Sequence, residues 1–370
     1  MGFEYLTEMW RSDIEHLDHV KRGLGEVFDQ VEKADQKGFD SPVMTDMMQE
    51  IFGLLKSDIT PKEQSRFAAL ERAAMAIAAH IDTQNQIYRP EFHNRGHFLF
   101  VQLAGRLIDR LNQNLMRQLG RDLKLPVLSP ADLACSAAID LLHDLDHTGG
   151  TNTIEGVYQP MQLENRALEH ALPILQNQGV GPEDIALITT AVRASDPALP
   201  KEIMQQAYAW HFTFCNQAPV NVAIYDDKFS NYDPQTRQQL TELANNLYGD
   251  EKAAFLAARL GDADLFASFG MDEARSRLET QKLNREFLQN GAGILCDPQG
   301  EPQGRLYALL KILGGKLSLF SGAFEVGFTT PGAQLLGGEN ARLFQKNAQE
   351  MLGLEGCSKI YQAASVPMPV

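Results

Sequence analysis

The stretch Leu141-Leu142-His143-Asp144-Leu145-Asp146-His147-Thr148-Gly149-Gly150-Thr151-Asn152 constrains the chain more than any other. Residues 131–142 read as an apolar helix that has to be buried, yet it runs straight into two imidazoles and two carboxylates. A charged cluster at the end of an apolar helix is costly to bury without a partner. If the helix continues, His143 and His147, four residues apart, share one face, and the glycine pair then stops it. Imidazole and carboxylate together suit a borderline or hard divalent cation. On these twelve residues alone, a solvated helix end that carries two histidines remains an alternative.

A second histidine pair bears on that choice. Tyr88-Arg89-Pro90-Glu91-Phe92-His93-Asn94-Arg95-Gly96-His97 precedes an apolar helical segment at 98–115, and Pro90 forbids a continuous helix through it. His93 and His97 are again four apart. A single such histidine is more often a packing residue than a ligand, but two such pairs at helix ends argue for chemistry. Further on, Asp264 follows an apolar helical face, where an unpaired carboxylate is destabilising. A solvated helical aspartate is the alternative there.

The rest of the chain reads as helices. Residues 4–34 place Leu6, Met9, Trp10, Ile14, Leu17, Val20, Leu24, Val27 and Val31 at helical spacing. That helix is open to packing on the body or to pairing with a second copy as a homodimer. Pro61, Pro182 and Pro234 mark helix starts, and helices are expected at about 61–81, 161–177, 234–248, 252 onward, 272–290 and 338–354. Alternating strand runs are missing, so the expectation is an all-α, compact multi-helix bundle. Its parts are an N-terminal helical extension (1–60), one large domain (61–356) and a loose tail (357–370). The net charge of −15 disfavours nucleic acid and anionic lipid as partners. Cys135, Cys215, Cys296 and Cys357 show neither metal-ribbon spacing nor a disulfide framework, and neither a secretory signal nor a membrane span is apparent. A cytoplasmic location with reduced thiols is therefore expected.

His97, His143, Asp144 and Asp264 follow the H…HD…D order of the HD superfamily of metal-dependent phosphohydrolases. More specifically, residues 75–335 resemble the catalytic domain of the class I cyclic nucleotide phosphodiesterases. The motifs that carry the resemblance stand as Phe92-His93-Asn94-Arg95-Gly96-His97, His143 to Gly149 with Asn152, Leu163-Glu164-Asn165, Ala194-Ser195-Asp196 and Ala263-Asp264-Leu265. The resemblance implies an HD/phosphodiesterase-like bundle and two divalent metal ions. The first, usually zinc, would be held by His97, His143, Asp144 and Asp264. The second, magnesium or manganese, would be reached by Asp144. It implies His93 as the general acid, and His147 and Glu164 as groups that orient water and ligands. Asp146 is read as a structural partner of neighbouring donors. The substrate implied is a small phosphorylated molecule, a 3′,5′-cyclic nucleotide cut to its 5′-monophosphate.

The departures concern the base-binding half. Phe92 replaces a tyrosine, Ser195 a threonine, and Phe266-Ala267-Ser268 stands where the family has Ser-Asn-Pro. Glu325 precedes Val326-Gly327-Phe328, where the family carries a glutamine, so an amide becomes a pure acceptor. Asn152, Asp196, Glu325 and Phe328 are taken as substrate-binding, and Arg95 and Arg193 as helpers for the phosphate. Two other readings stay open: an HD-type phosphatase or diesterase for another nucleotide or metabolite, and a non-catalytic metal-containing binding module.

Overall fold

The computed structural model describes residues 24–25, 28–29, 32–33, 43–87, 90–119, 124–154, 157–212, 222–289 and 328–352. Among them the chain forms twelve α-helices: α1 (Val43–Leu55), α2 (Gln64–Ile87), α3 (Arg95–Leu119), α4 (Pro130–Leu142), α5 (Gln162–Asn177), α6 (Pro182–Arg193), α7 (Leu199–Phe212), α8 (Asp226–Phe229), α9 (Pro234–Gly249), α10 (Glu251–Phe269), α11 (Glu273–Gln289) and α12 (Pro331–Leu352). The one departure from the all-α expectation is a two-stranded antiparallel hairpin between α4 and α5, β1 (Thr153–Ile154) and β2 (Val157–Tyr158), which pairs Thr153 with Tyr158 and Ile154 with Val157.

The helix starts follow from side chains that take up free backbone N–H groups. Before α4, Ser129 Oγ accepts from Asp132 N at 3.2 Å, and the Asp132 carboxylate accepts from Ser129 N at 3.1 Å, with Pro130 in the first turn. Asp233 and Asp250 cap α9 and α10 by accepting from two backbone N–H groups each, Gln235 and Thr236 in α9 and Lys252 and Ala253 in α10. Asp82 of α2 binds Met44 N and Thr45 N, both at 3.0 Å, and so fixes the start of α1.

α10 is the central post, packed against α3, α4, α6, α7, α9, α11 and α12. α3 and α4 lie against it and against each other. Every residue from Ala131 to Leu142 is buried, as a helix with no solvated face must be. α12 lies on α3 closely enough that a Cβ on Gly332 would stand 2.7 Å from the Ile108 carbonyl oxygen, and Gly332 N–H donates to Asn112 Oδ1 at 2.8 Å.

The core runs from Leu24 to Ala341, so residues on both sides of position 60 share it. Most of the 4–34 helix lies outside the described residues. The described part packs on the body: Leu24 and Phe28, one helical turn apart, are buried, and the Phe28 ring meets Phe100 of α3 edge-on at 4.5 Å. Asp29 and Glu32 pair with Arg275 of α11 at 2.8 and 3.1 Å. Removing a buried aromatic ring costs about 3–5 kcal/mol. Phe28→Ala is therefore expected to destabilise the whole protein by roughly 3 kcal/mol in urea unfolding; a change under about 0.5 kcal/mol would mean the segment is not part of the core.

Candidate metal centre

Three helices deliver the centre. His97 sits in the first turn of α3, behind Asn94, whose Oδ1 accepts from His97 N at 3.3 Å and whose Nδ2 donates to the Pro90 and Glu91 carbonyls. His143 caps the C-terminus of α4 and keeps helical geometry, with its N–H on the Ile139 carbonyl at 3.2 Å. Asp144 follows it, and Asp264 comes from the last turns of α10.

The shared helical face expected for His143 and His147 is corrected. α4 ends at Leu142, not at the glycine pair. Beyond it the chain makes tight turns, Leu145 N to the Leu142 carbonyl at 3.3 Å and His147 N to the Asp144 carbonyl at 3.0 Å. Asp146 then adopts φ of 58°, which no right-handed helix accommodates. His143 and Asp144 are thereby turned into one cluster and His147 into another. His93 likewise precedes α3 instead of sharing its face with His97.

In the first cluster His97 Nε2 lies 3.1 Å from His143 Nε2 and 3.2 Å from Asp144 Oδ2. His143 Nε2 is 3.0 Å from the same Asp144 oxygen, and Asp264 Oδ1 is 3.3 Å from His97 Nε2. One donor atom from each residue lies within 4.8 Å of every other. Donors held at about 2.1 Å from a common ion stand roughly 3.0–3.4 Å apart, so the spacing fits a metal. The tautomers fit as well: His143 Nδ1 meets the Asp140 carbonyl at 2.9 Å, which places the proton there and turns the Nε2 lone pair inward. Two facing imidazole nitrogens need a cation or a proton between them. Without a metal, burial works against charge on His97, but Asp144 and Asp264 outweigh it and push its pKa up to about 10. Asp144 is held well below the usual carboxylate range against the effect of its burial, by His143 first. The histidines are buried, while the side chains of Asp144 and Asp264 are 17% and 28% exposed, so the cluster opens to solvent on its carboxylate side.

A second cluster adjoins it. His93 Nε2 is 3.8 Å from Asp144 Oδ2, and its Nδ1 is hydrogen-bonded to Glu286 of α11. Glu286 also accepts from Phe92 N at 2.6 Å and His93 N at 2.9 Å. Burial acts against its charge, yet His93 and these donors hold its carboxyl below the usual range. The His147 ring stacks on His93 with centroids 3.8 Å apart. Its Nδ1 accepts from Gly149 N at 2.9 Å, and burial followed by His93 pushes its pKa down to about 3, so the ring is neutral and carries its proton on Nε2. That occupied lone pair makes His93, His147 and Glu286 a hydrogen-bonding set and not a second cage of metal ligands. The sequence reading missed Glu286. It lies in a charged amphipathic helix where nothing separates it from its solvated neighbours.

The third group joins Glu164 of α5 to Asn152 and Asp196. Asn152 Nδ2 donates to both carboxylates at 3.0 Å, and its Oδ1 accepts from Leu163 N at 2.7 Å. Asp196 accepts from Tyr158 OH at 2.8 Å, Met161 N at 2.7 Å and Ala198 N at 3.0 Å. Burial raises the pKa of both carboxyls. Asn152 and Asp196 were expected to bind substrate; they are buried with their polar atoms engaged, and they hold the hairpin and the start of α5 behind Glu164.

Asp146 is the structural partner that the sequence implies: His80 of α2 meets it at 2.8 Å and His170 of α5 binds its other oxygen. Arg95 is not free for a phosphate, being buried and paired with Asp82 at 3.0 Å, and Arg193 Nε donates to Asn165 at 2.9 Å. Phe328 is fully buried against Phe266 with centroids 5.8 Å apart, and so is a core residue. Glu325 lies outside the described residues.

No protein-family model and no curated protein matches the chain. Solved structures do. The chain is similar to LmjPDEB1, solved in complex with IBMX, with a TM-score of 0.53 and 16% identity over 88% of this chain and 90% of that one. The phosphodiesterase domain of the RhoPDE fusion protein from the choanoflagellate Salpingoeca rosetta aligns at 0.47 and 16% identity, over 90% of this chain and 98% of that one. The helical architecture and the coverage of both chains show that this protein has the all-α, phosphodiesterase-like fold.

Proposed function

We propose that the protein is a metal-dependent phosphodiesterase that hydrolyses a 3′,5′-cyclic nucleotide to the 5′-monophosphate. One observation carries the reading. Four metal-type donors from three helices converge, and beside them His93 is held by Glu286 with its other nitrogen 3.8 Å from the Asp144 carboxylate. His97, His143, Asp144 and Asp264 would hold one divalent cation, with zinc suited to the donor set, and Asp144 would also serve a second, magnesium or manganese. When bound, the cations supply Lewis acidity and neutralise phosphate charge.

The side chains then divide the work. His93 gives its Nε2 proton to the departing 3′-oxygen as water adds at phosphorus and the P–O3′ bond breaks; the proton the water loses returns to His93 through solvent, which leaves a 3′-hydroxyl and a 5′-monophosphate. Glu286, at Nδ1, fixes the orientation of the ring. His147, neutral, presents its Nε2 proton to water or phosphate oxygen. Glu164, whose carboxyl is pushed up by burial and by Asp196, orients water on the Asp144 side. The substrate's negative charge has to be met by the cations, because Arg95 is engaged elsewhere. Cys135 is a free buried thiol, and no helix among the described residues is long and apolar enough to cross a membrane.

Product analysis after incubation with manganese is expected to show 3′,5′-cyclic AMP or 3′,5′-cyclic GMP converted to the 5′-monophosphate, with the activity lost in Asp264→Ala. Turnover of an aryl phosphodiester alone would point to another phosphorylated substrate. Metal binding without turnover of any substrate would favour a binding module.

The proton donor has its own test. An aryl diester with a good leaving group needs no protonation, whereas a ribose alkoxide does. Glu286→Gln is expected to lower kcat on a cyclic nucleotide by about 10²-fold, a typical general-acid effect. It should change kcat on the p-nitrophenyl diester by less than about threefold. Equal losses on both substrates would show Glu286 to be structural only.

A further inference from the structure

One buried cluster has no part in the chemistry above. Arg106 and Asp109 of α3, Asp140 of α4 and Arg259 of α10 form a four-charge network in which every side chain is between 0% and 3% exposed. Arg106 Nη2 meets Asp140 at 3.0 Å and Asp109 at 3.1 Å, and Arg259 Nε donates to Asp109 at 3.1 Å. Arg259 Nη1 binds the remaining Asp140 oxygen. Arg106 also donates to the Leu133 carbonyl at 2.8 Å, and Ser136 Oγ to Asp109 at 3.3 Å.

We propose that this network is the positioning element of the metal centre: it locks the relative registers of α3, α4 and α10 so that His97, His143, Asp144 and Asp264 converge. The inference rests on the metal-centre reading given above.

Three observations carry it. First, the network takes its charges from the three helices that deliver the ligands. Asp140 is three residues before His143, Arg259 five before Asp264, and Arg106 nine after His97, or about 5, 8 and 14 Å along the helices. Second, Asp140 joins network and centre directly: its side chain is fixed by both arginines, and its carbonyl receives His143 Nδ1 at 2.9 Å. Third, the helices are shaped around it. A Cβ on Gly105 would lie 1.8 Å from Arg259 Nη2 and within 2.7 Å of Asp140, so only glycine admits this guanidinium.

Stability alone gives no reason for the arrangement. Burying four charges carries a desolvation cost that apolar replacements avoid, and such replacements are often neutral or stabilising. Arg106 Nε and Arg259 Nη2 even lack hydrogen-bond partners. What ion pairs with fixed fork geometry supply, and apolar packing does not, is a single register between helices.

The test is titration calorimetry of chelator-treated protein with Mn²⁺ alone, with circular dichroism to establish folding. Asp140→Asn and Arg259→Met are expected to stay folded and to bind Mn²⁺ about 10–100-fold more weakly, the range seen when groups behind metal ligands are altered. Arg259→Lys should recover part of the loss. Because a single change strands a buried charge, a quadruple variant (Arg106→Met, Asp109→Leu, Asp140→Leu, Arg259→Met) is measured too. Folded, with Mn²⁺ affinity reduced by at least tenfold, it supports the proposal. Mn²⁺ affinity within about twofold of wild type in folded variants would overturn it, as would a quadruple variant that cannot fold, which would make the network a requirement of the fold itself. Wild-type protein that binds no Mn²⁺ would defeat the metal-centre reading, and this inference with it.

Discussion

Two imidazole nitrogens 3.1 Å apart, faced by two carboxylate oxygens, are the constraint on which the rest of this molecule turns. Such a group is unstable in a protein interior without positive charge at its middle. It exists because three closely packed, buried helices bring the donors together. α4 has no solvated face, α10 is surrounded by seven helices, and α3 is pressed against both. The packing free energy of these helices holds the donors together before any ion arrives. The centre is pre-organised, and its demand for a cation follows from its charge.

The loop after α4 shows how little backbone separates binding from proton transfer. One left-handed residue, Asp146, turns the chain so that Asp144 faces the donor cluster and His147 faces His93. His80 and His170 fasten the Asp146 carboxylate from α2 and α5 and offset the conformational cost of the turn. The three polar clusters then meet around Asp144. Histidine ligands lie on one side, the His93–Glu286 pair on another, and Glu164, its carboxyl pushed up by burial and by Asp196, on a third.

Much of this was legible in the chain. The helical architecture followed from 3.6-residue periodicity and from prolines at helix starts, and the four residues that the family resemblance implies as metal ligands are brought within 4.8 Å of one another. The misjudged features have different causes, and the first depends on where a helix ends. Nothing in His-Asp-Leu-Asp-His marks Asp146 as left-handed, so periodicity extended the helix too far. Glu286 was hidden because a buried glutamate in an amphipathic helix has the same local sequence as an exposed one; only the packing of α11 over Phe92 and His93 distinguishes it. Asp196 and Arg95 seemed available for a ligand because sequence records charge and not its partners, and both are consumed inside the fold.

X-ray absorption spectroscopy at the metal edge of the manganese- or zinc-loaded protein tests the central point most directly. The expected spectrum has imidazole nitrogen and carboxylate oxygen neighbours at about 2.0–2.2 Å, with outer-shell scattering from two imidazole rings. A spectrum of oxygen neighbours alone, with no imidazole scattering, would place the ion elsewhere and contradict a metal centre built on His97, His143, Asp144 and Asp264.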